Sequence, residues 1–271
     1  MASLPDSAEP PLQIAVCGAS GATGRLVVEQ LLHGRPEMAL CGALVAPDDD
    51  LLGAELAPGV VATADADAAL ARADVVVDFS APAGTAALLR ALERGPLPAV
   101  IGTTGLTDEH EARLRSLAAR APVVVAPNMS LGVNVLRRLV RDAARALGAS
   151  WDLELVEIHH RRKVDAPSGT ALALVDDLVH GGAPADRTVG GRHGAVGPRA
   201  DHEIGVHAVR GGDVAGEHTV YLLGDGERLE LTHRAGDRRI FALGALRAAA
   251  WAATAAPGRY GMDEVLFGDD S

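Results

Sequence analysis

Two adjacent imidazoles, three consecutive cations and two hydroxyls crowd into the run Glu157-Ile158-His159-His160-Arg161-Arg162-Lys163-Val164-Asp165-Ala166-Pro167-Ser168-Gly169-Thr170. An imidazole titrates near neutrality, with an ordinary pKa of about 6.5, so a histidine here is the natural candidate for moving a proton. Pro167 keeps Ala166 out of the helical region, and Ser168 or Thr170 can cap a helix beginning near Ala171. Open amides at that helix start, beside Arg161, Arg162 and Lys163, favour a carboxylate ligand. The run reads as an anion-binding loop beside a proton donor. A capped loop with solvated cations is the plainer alternative. Lys163 stands out further because every other basic residue in the chain apart from histidine is arginine.

The elements that must position this run read from the apolar periodicity. Leu153 to Ile158 alternates like a strand leading into it, and Ala171 to Val179 has helical spacing after it. Upstream, Leu12 to Cys17 is an apolar run followed by Gly18-Ala19-Ser20-Gly21-Ala22-Thr23-Gly24 and the helical spacing of Leu26, Val27, Gln30 and Leu31. Strand, glycine loop and helix is the context of a dinucleotide fingerprint, in which glycines let backbone amides approach a pyrophosphate. Gly18, Ala19, Ser20, Gly21, Ala22 and Thr23 are therefore candidate cofactor contacts. A second strand, Met38 to Val45, should end near an adenosine ribose, where an acid about twenty residues past the glycines commonly accepts the hydroxyls and an Arg accommodates a 2'-phosphate.

Here that strand ends Leu44-Val45-Ala46-Pro47-Asp48, with neither acid nor Arg in place. Asp48, Asp49 or Asp50 could supply an acceptor from the loop, and their charge disfavours a 2'-phosphate. NADH or NADPH is expected, with the missing Arg favouring NADH.

Buried strands at Ala73 to Ser80, Ala99 to Gly105 and Val123 to Ser130, with a helix from Thr85 to Arg94, indicate βαβ units and a parallel sheet covered on both faces. A long helix, Val133 to Leu147, leads into a second region. After a Gly-rich loop, Gly181 to Pro198, the period falls to two over Glu203 to Arg210, Glu217 to Leu223 and Arg228 to His233, which suggests consecutive antiparallel strands. The fold class expected is α/β: a Rossmann-like parallel-sheet domain, residues 1–130 and 241–271, with the final helix, Phe241 to Ala253, returning to it. A smaller α+β substrate and oligomerisation domain with a mainly antiparallel sheet spans 131–240.

Composition narrows the function classes. The 271 residues can bury a substantial core, and 48% apolar content with 3% aromatics says that Ala, Val and Leu fill it. A formal charge of −11 argues against a nucleic-acid partner. Cys17 and Cys41 sit in apolar, strand-like sequence without a Cys-x-x-Cys pair, so buried packing residues in a reducing compartment are expected. Met1 to Pro11 lacks the pattern of a secretory signal and no apolar run reaches membrane-spanning length, so a cytoplasmic protein without a membrane partner is expected.

His159-His160-x-x-Lys163-x-Asp165-Ala166-Pro167-Ser168-Gly169-Thr170 resembles the signature of the dihydrodipicolinate reductases, the 4-hydroxy-tetrahydrodipicolinate reductases of bacterial diaminopimelate and lysine synthesis. The resemblance covers roughly residues 12 to 267 and includes Arg192-x-Gly194-x-x-Gly197-x-Arg199 and Arg210-x-Gly212-Asp213-x-x-Gly216-Glu217-His218. It implies NAD(P)H-dependent reduction of the cyclic imine formed from 4-hydroxy-tetrahydrodipicolinate, a small dicarboxylate, by hydride delivery to C4 and protonation of the ring. It further implies His159 as the acid/base residue, Lys163 as a second proton donor, His160 as a substrate contact, and Ser168, Gly169 and Thr170 as the cradle of one carboxylate. Arg238 is a candidate for the other carboxylate. Gly102, Thr103 and Thr104, and Ala126, Pro127, Asn128 and Met129, end two strands and resemble the family's cofactor-contacting loops. Together the two-period sheet and the family suggest a homotetramer.

Other chemistries fit less well. A thiol nucleophile needs an exposed cysteine, and Ser168 lacks a nucleophile elbow. A metal between His159, His160 and Glu157 is disfavoured, because adjacent strand residues face opposite ways. A paralogue reducing a different cyclic imine, in secondary metabolism, and a non-catalytic nucleotide-binding protein are the remaining alternatives.

Overall fold

The computed structural model describes residues 10–183 and 187–268. Most of the acidic, Pro-rich start falls outside the described residues, as do positions 184–186 of the Gly-rich loop. The chain divides into two compact units, the described parts of Met1–Met129 and Phe241–Ser271 forming one and Ser130–Ile240 the other.

The first unit opens with β1 (Leu12–Cys17), α1 (Gly24–His33), β2 (Met38–Leu44), β3 (Glu55–Ala57), β4 (Val60–Thr63) and α2 (Ala66–Leu70). It continues with β5 (Val75–Asp78), α3 (Pro82–Arg94), β6 (Ala99–Ile101), α4 (Asp108–Ala118) and β7 (Pro122–Val125). Helix α3 starts earlier than the periodicity suggests because Pro82 stands at its first turn, where a fixed φ and a missing N–H are tolerated. Helix α4 carries Asp108, Glu109 and Glu111 in its first turn and is capped by Thr107 together with His110, which explains one of the non-catalytic histidines.

Seven adjacent strands of the eight-stranded sheet run β7-β6-β5-β1-β2-β4-β3, all paired parallel except β3 with β4. Its central strands are continuous apolar runs, as burial on both faces requires. Cys17 and Cys41 are both buried free thiols, and burial pushes the Cys41 thiol up to about 11.

The second unit contains α5 (Leu131–Leu147), β8 (Asp152–His159), α6 (Gly169–His180), β9 (Arg187–Val189), β10 (Glu203–Arg210), β11 (Glu217–Gly224) and β12 (Glu227–Arg234). Ser130 and Ser168 cap α5 and α6 through their hydroxyls. One face of the sheet packs Leu153, Leu155, Ile204, Val206, Val220 and Leu222 against Leu136, Val140, Leu174 and Leu178 of the two helices.

The order β12-β11-β8-β10-β9 corrects the expectation of three consecutive antiparallel strands. Antiparallel pairing holds in the β12-β11-β8 half, but β10 runs parallel to both β8 and β9 and does not touch β11. Strand β8 has inserted between them. Two-residue periodicity reports which face is buried, and it carries no information on which strand lies alongside.

The chain then supplies α7 (Arg239–Ala252), β13 (Gly258–Tyr260) and α8 (Met262–Phe267). Strand β13 pairs parallel with β7 and completes the first sheet, while α7 buries a face of Ala242, Ala245, Leu246, Ala249 and Ala252. No helix among the described residues is long and apolar enough to cross a membrane.

Candidate active site

Parallel strands β1, β5, β6 and β7 lie side by side, so the loops that follow them gather at one edge of the first sheet. These loops are held by backbone. The Gly18 and Ala19 amides donate to the Leu44 carbonyl, Gly102 N–H to Asp78, and Ala126 N–H to Ile101. Thr103 Oγ1 adds a 3.3 Å bond to the Ser80 carbonyl.

Gly18 has φ +76°, and a Cβ there would fall 2.6 Å from the Phe79 carbonyl oxygen. One at Gly24 would fall 2.0 Å from Gly18 O, and one at Gly102 would enter the Phe79 ring. Only glycine lets these loops close so tightly, as a backbone cradle for a pyrophosphate demands. The predicted contacts Gly18 to Thr23, Gly102 to Thr104 and Ala126 to Met129 thus belong to one edge of this unit. Of the three candidate ribose acceptors, Asp49 is half-buried and accepts from Ser20 Oγ at 2.5 Å, which ties the second strand's loop to the glycine loop. Arg25 lines the same hollow as Ser20 and Asp49.

In the second unit the proton chemistry converges on His159, at the end of β8 and 9% exposed. Glu157 lies two residues earlier on the same face of the strand and is wholly buried. His159 Nδ1 is 2.6 Å from Glu157 Oε2, and a carboxylate can only accept, so the shared proton sits on Nδ1 and Nε2 is left for another partner. Nε2 faces the backbone of Gly216, where a Cβ would approach it to 3.0 Å.

The parallel register of β10 on β8 brings Arg210 beside His159. Its guanidinium holds both oxygens of Glu157 at 2.7 Å and reaches the Asp165 carbonyl at 2.8 Å. Burial raises the Glu157 carboxyl, but the bonds and charges of Arg210 and His159 outweigh it and hold the group below the usual carboxylate range.

His218, on β11, stacks edge-on against His159 with ring centroids 5.2 Å apart. Burial, reinforced by the neighbouring imidazole's charge, pushes it down to about 4, so it is neutral at physiological pH. Its Nε2 is 3.0 Å from Ser168 Oγ, which also accepts from Ala171 N–H.

Ser168, expected in the carboxylate cradle, lies at the start of α6 beside Glu157 and His218. Its hydroxyl is committed to the helix cap and His218, its amide donates to Glu157 Oε1, and the residue is 2% exposed. Gly169 and Thr170, the first two residues of α6, keep the first-turn position suited to an anion.

Lys163 pairs with Asp165 at 2.9 Å. His160 is half-buried and its Nδ1 finds no partner among the described residues. Desolvation and the nearby charges of Arg162 and Arg238 lower its pKa, so Arg238 lies within electrostatic reach of this loop. Among the described residues no group of three or more His, Cys, Asp or Glu is placed to hold a metal.

Residues 12–129 match the family model described as dihydrodipicolinate reductase, N-terminus, and residues 132–266 match the corresponding C-terminus. The chain belongs to the dihydrodipicolinate reductase family. Proteins named 4-hydroxy-tetrahydrodipicolinate reductase from Anaeromyxobacter sp. (strain Fw109-5) and Alkalilimnicola ehrlichii are each 47% identical to it. Both alignments cover 94% of this chain, with 97% and 98% of the respective relatives. A dipicolinate-bound dihydrodipicolinate reductase from Paenisporosarcina sp. TG-14 shares the fold, with a TM-score of 0.78 at 24% identity over 95% of this chain and 100% of that one.

As a member of this reductase family, the chain is an enzyme whose first unit is a Rossmann-type domain for a pyridine nucleotide. Three groups beside His159, namely Glu157, Arg210 and His218, stand in the motifs of the sequence but received no role there. Glu157 and His159 were visible as alternate residues of one strand, a signal sufficient to suggest a pair. Arg210 and His218 reach the site only through strand neighbours that the sequence does not specify.

Proposed function

We propose that the protein reduces the cyclic imine formed from 4-hydroxy-tetrahydrodipicolinate to tetrahydrodipicolinate, on the route to diaminopimelate and lysine. The observation that carries this reading is the convergence of an oriented imidazole, an ammonium and a helix start on residues 159–170, in a chain 47% identical to a relative that bears this activity in its name.

When bound, a reduced nicotinamide would supply the hydride for C4 of the ring. His159, its Nδ1 proton engaged by Glu157, presents Nε2 to give the proton that the electron-rich ring then requires. Lys163 leaves Asp165 to face the substrate and serves as second donor. The amides of Gly169 and Thr170 hold one carboxylate, His160 contacts the ring, and Arg238 takes the other carboxylate. Gly18 to Thr23 cradle the pyrophosphate, while Gly102 to Thr104 and Ala126 to Met129 line the nicotinamide end.

NADH is the preferred cofactor in this reading, because Asp49 holds a carboxylate against the glycine loop and its charge disfavours a 2'-phosphate nearby. The half-buried Val156, Ile158 and Tyr221, on the sheet face turned away from α5 and α6, support assembly of the second units into a homotetramer. The buried free thiols suit the reducing cytoplasm, where we place the reaction.

NAD(P)H oxidation with enzymatically generated 4-hydroxy-tetrahydrodipicolinate tests the assignment. His159→Gln and Lys163→Ala should each lower kcat by about 10²- to 10⁴-fold while the cofactor Kd barely moves. Near-normal turnover in both variants would overturn these roles, and a tenfold preference in kcat/KM for NADPH would overturn the cofactor assignment.

A further inference from the structure

We propose that Glu157 is a positioning residue that fixes the tautomer and orientation of His159, and that Arg210 is its counter-cation, setting how firmly that carboxylate holds the imidazolium. The inference rests on the reading of His159 as the acid/base residue.

Every lone-pair direction of Glu157 is taken. Its two oxygens accept from His159 Nδ1, from both terminal nitrogens of Arg210 and from the Ser168 amide, and the residue has no exposed surface. Glu157 thus has no site left for substrate, and it cannot itself shuttle a proton without breaking this set.

A buried carboxylate facing an imidazole with no other charge would clamp the imidazolium and resist proton release to the ring. The bidentate Arg210 shares that negative charge, so His159 is oriented by a carboxylate without being trapped by it. The remaining groups around His159 are His218 from β11, with His233 opposite it on β12, and His160, Lys163 and Asp165 on the loop. His218 is neutral and Lys163 is paired, which leaves Glu157 and Arg210 as the two charges in direct contact that set the balance.

The same pair holds the geometry of the loop. Glu157 takes the Ser168 amide and Arg210 the Asp165 carbonyl, so the segment bearing Lys163 and the start of α6 are registered to the imidazole.

The decisive measurement is the pH profile of kcat/KM for the full-length wild type, Glu157→Gln, Arg210→Gln, Arg210→Lys and His159→Gln. If protonated His159 is the donor, activity falls on the alkaline side as it loses its proton. Removing the carboxylate should move that limb about one pH unit lower, and removing the guanidinium about one unit higher, with Arg210→Lys returning it part of the way. Glu157→Gln should also lose about 10- to 100-fold in kcat, less than His159→Gln.

Opposite shifts are the signature that a merely structural role would not produce. Shifts in the same direction, or none in folded variants, would overturn the proposal. Should the variants fail to fold, ring 15N spectra of the wild type decide: neutral His159 must carry its proton on Nδ1, and an Nε2–H tautomer refutes the proposal. Normal turnover by His159→Gln would instead indict the underlying acid/base assignment, whereas its loss beside unmoved limbs would indict only the Glu157–Arg210 pair.

Discussion

Gly24 in the first unit and Glu157 in the second are both buried, and for opposite reasons. Gly24 is closed in because the backbone of Gly18 passes where a side chain would be, and nothing charged is involved. Glu157 is closed in because four donors surround its carboxylate and compensate the desolvation. One unit builds its site from peptide groups and steric exclusion, and the other from buried charge. The first should therefore respond to added volume and hardly to pH, whereas the second should respond to pH and to the loss of single polar atoms.

The largest effect that would sharpen this contrast lies in acid stability. The folded-state value of His218, about 4, lies below the ordinary imidazole value of about 6.5, so between these limits the unfolded chain binds a proton that the fold excludes. Stability is then full above about pH 6.5 and falls by about 3 kcal/mol as the pH drops toward 4. Trp151 belongs to the second unit and Trp251 to the first, so unfolding followed in Trp251→Phe and Trp151→Phe variants reads the units separately. The acid loss should appear in the Trp151 signal and flatten in His218→Asn. An equal acid loss in both signals would break the contrast.

Next in size is Gly24→Ala, expected to destabilise by about 1–3 kcal/mol through overpacking and to weaken dinucleotide binding at least tenfold, equally at pH 6 and pH 8. Titration calorimetry at the two pH values checks it, and a pH-dependent deficit would contradict a purely steric origin. The smallest effect is expected from Asp49→Asn, which removes the charge bonded to Ser20 and should raise kcat/KM with NADPH relative to NADH by several-fold. An unchanged ratio would show that Asp49 does not face the ribose.

The same contrast explains what the sequence disclosed. The glycine loop, the parallel strands and the stretch from His159 to Thr170 were legible because each is local: a turn needs its glycine and a strand its apolar run within a few residues. Arg210 and His218 were visible as members of a motif, but their placement beside His159 was not, because it depends on β10 and β11 lying on either side of β8, and strand alternation does not encode neighbours. Ser168 was legible as a polar residue at a helix start, but two functions, cap and ligand, fit that position equally well. The structure shows the cap bond.

The Lys163–Asp165 ion pair has a consequence for timing. If Lys163 is the second donor, its ammonium must part from Asp165 before it can give a proton to the ring, so the pair parks that proton until a substrate arrives. With the Asp165 side chain 54% exposed, parting costs only about 0–1 kcal/mol, and the pair can open and reclose within each turnover.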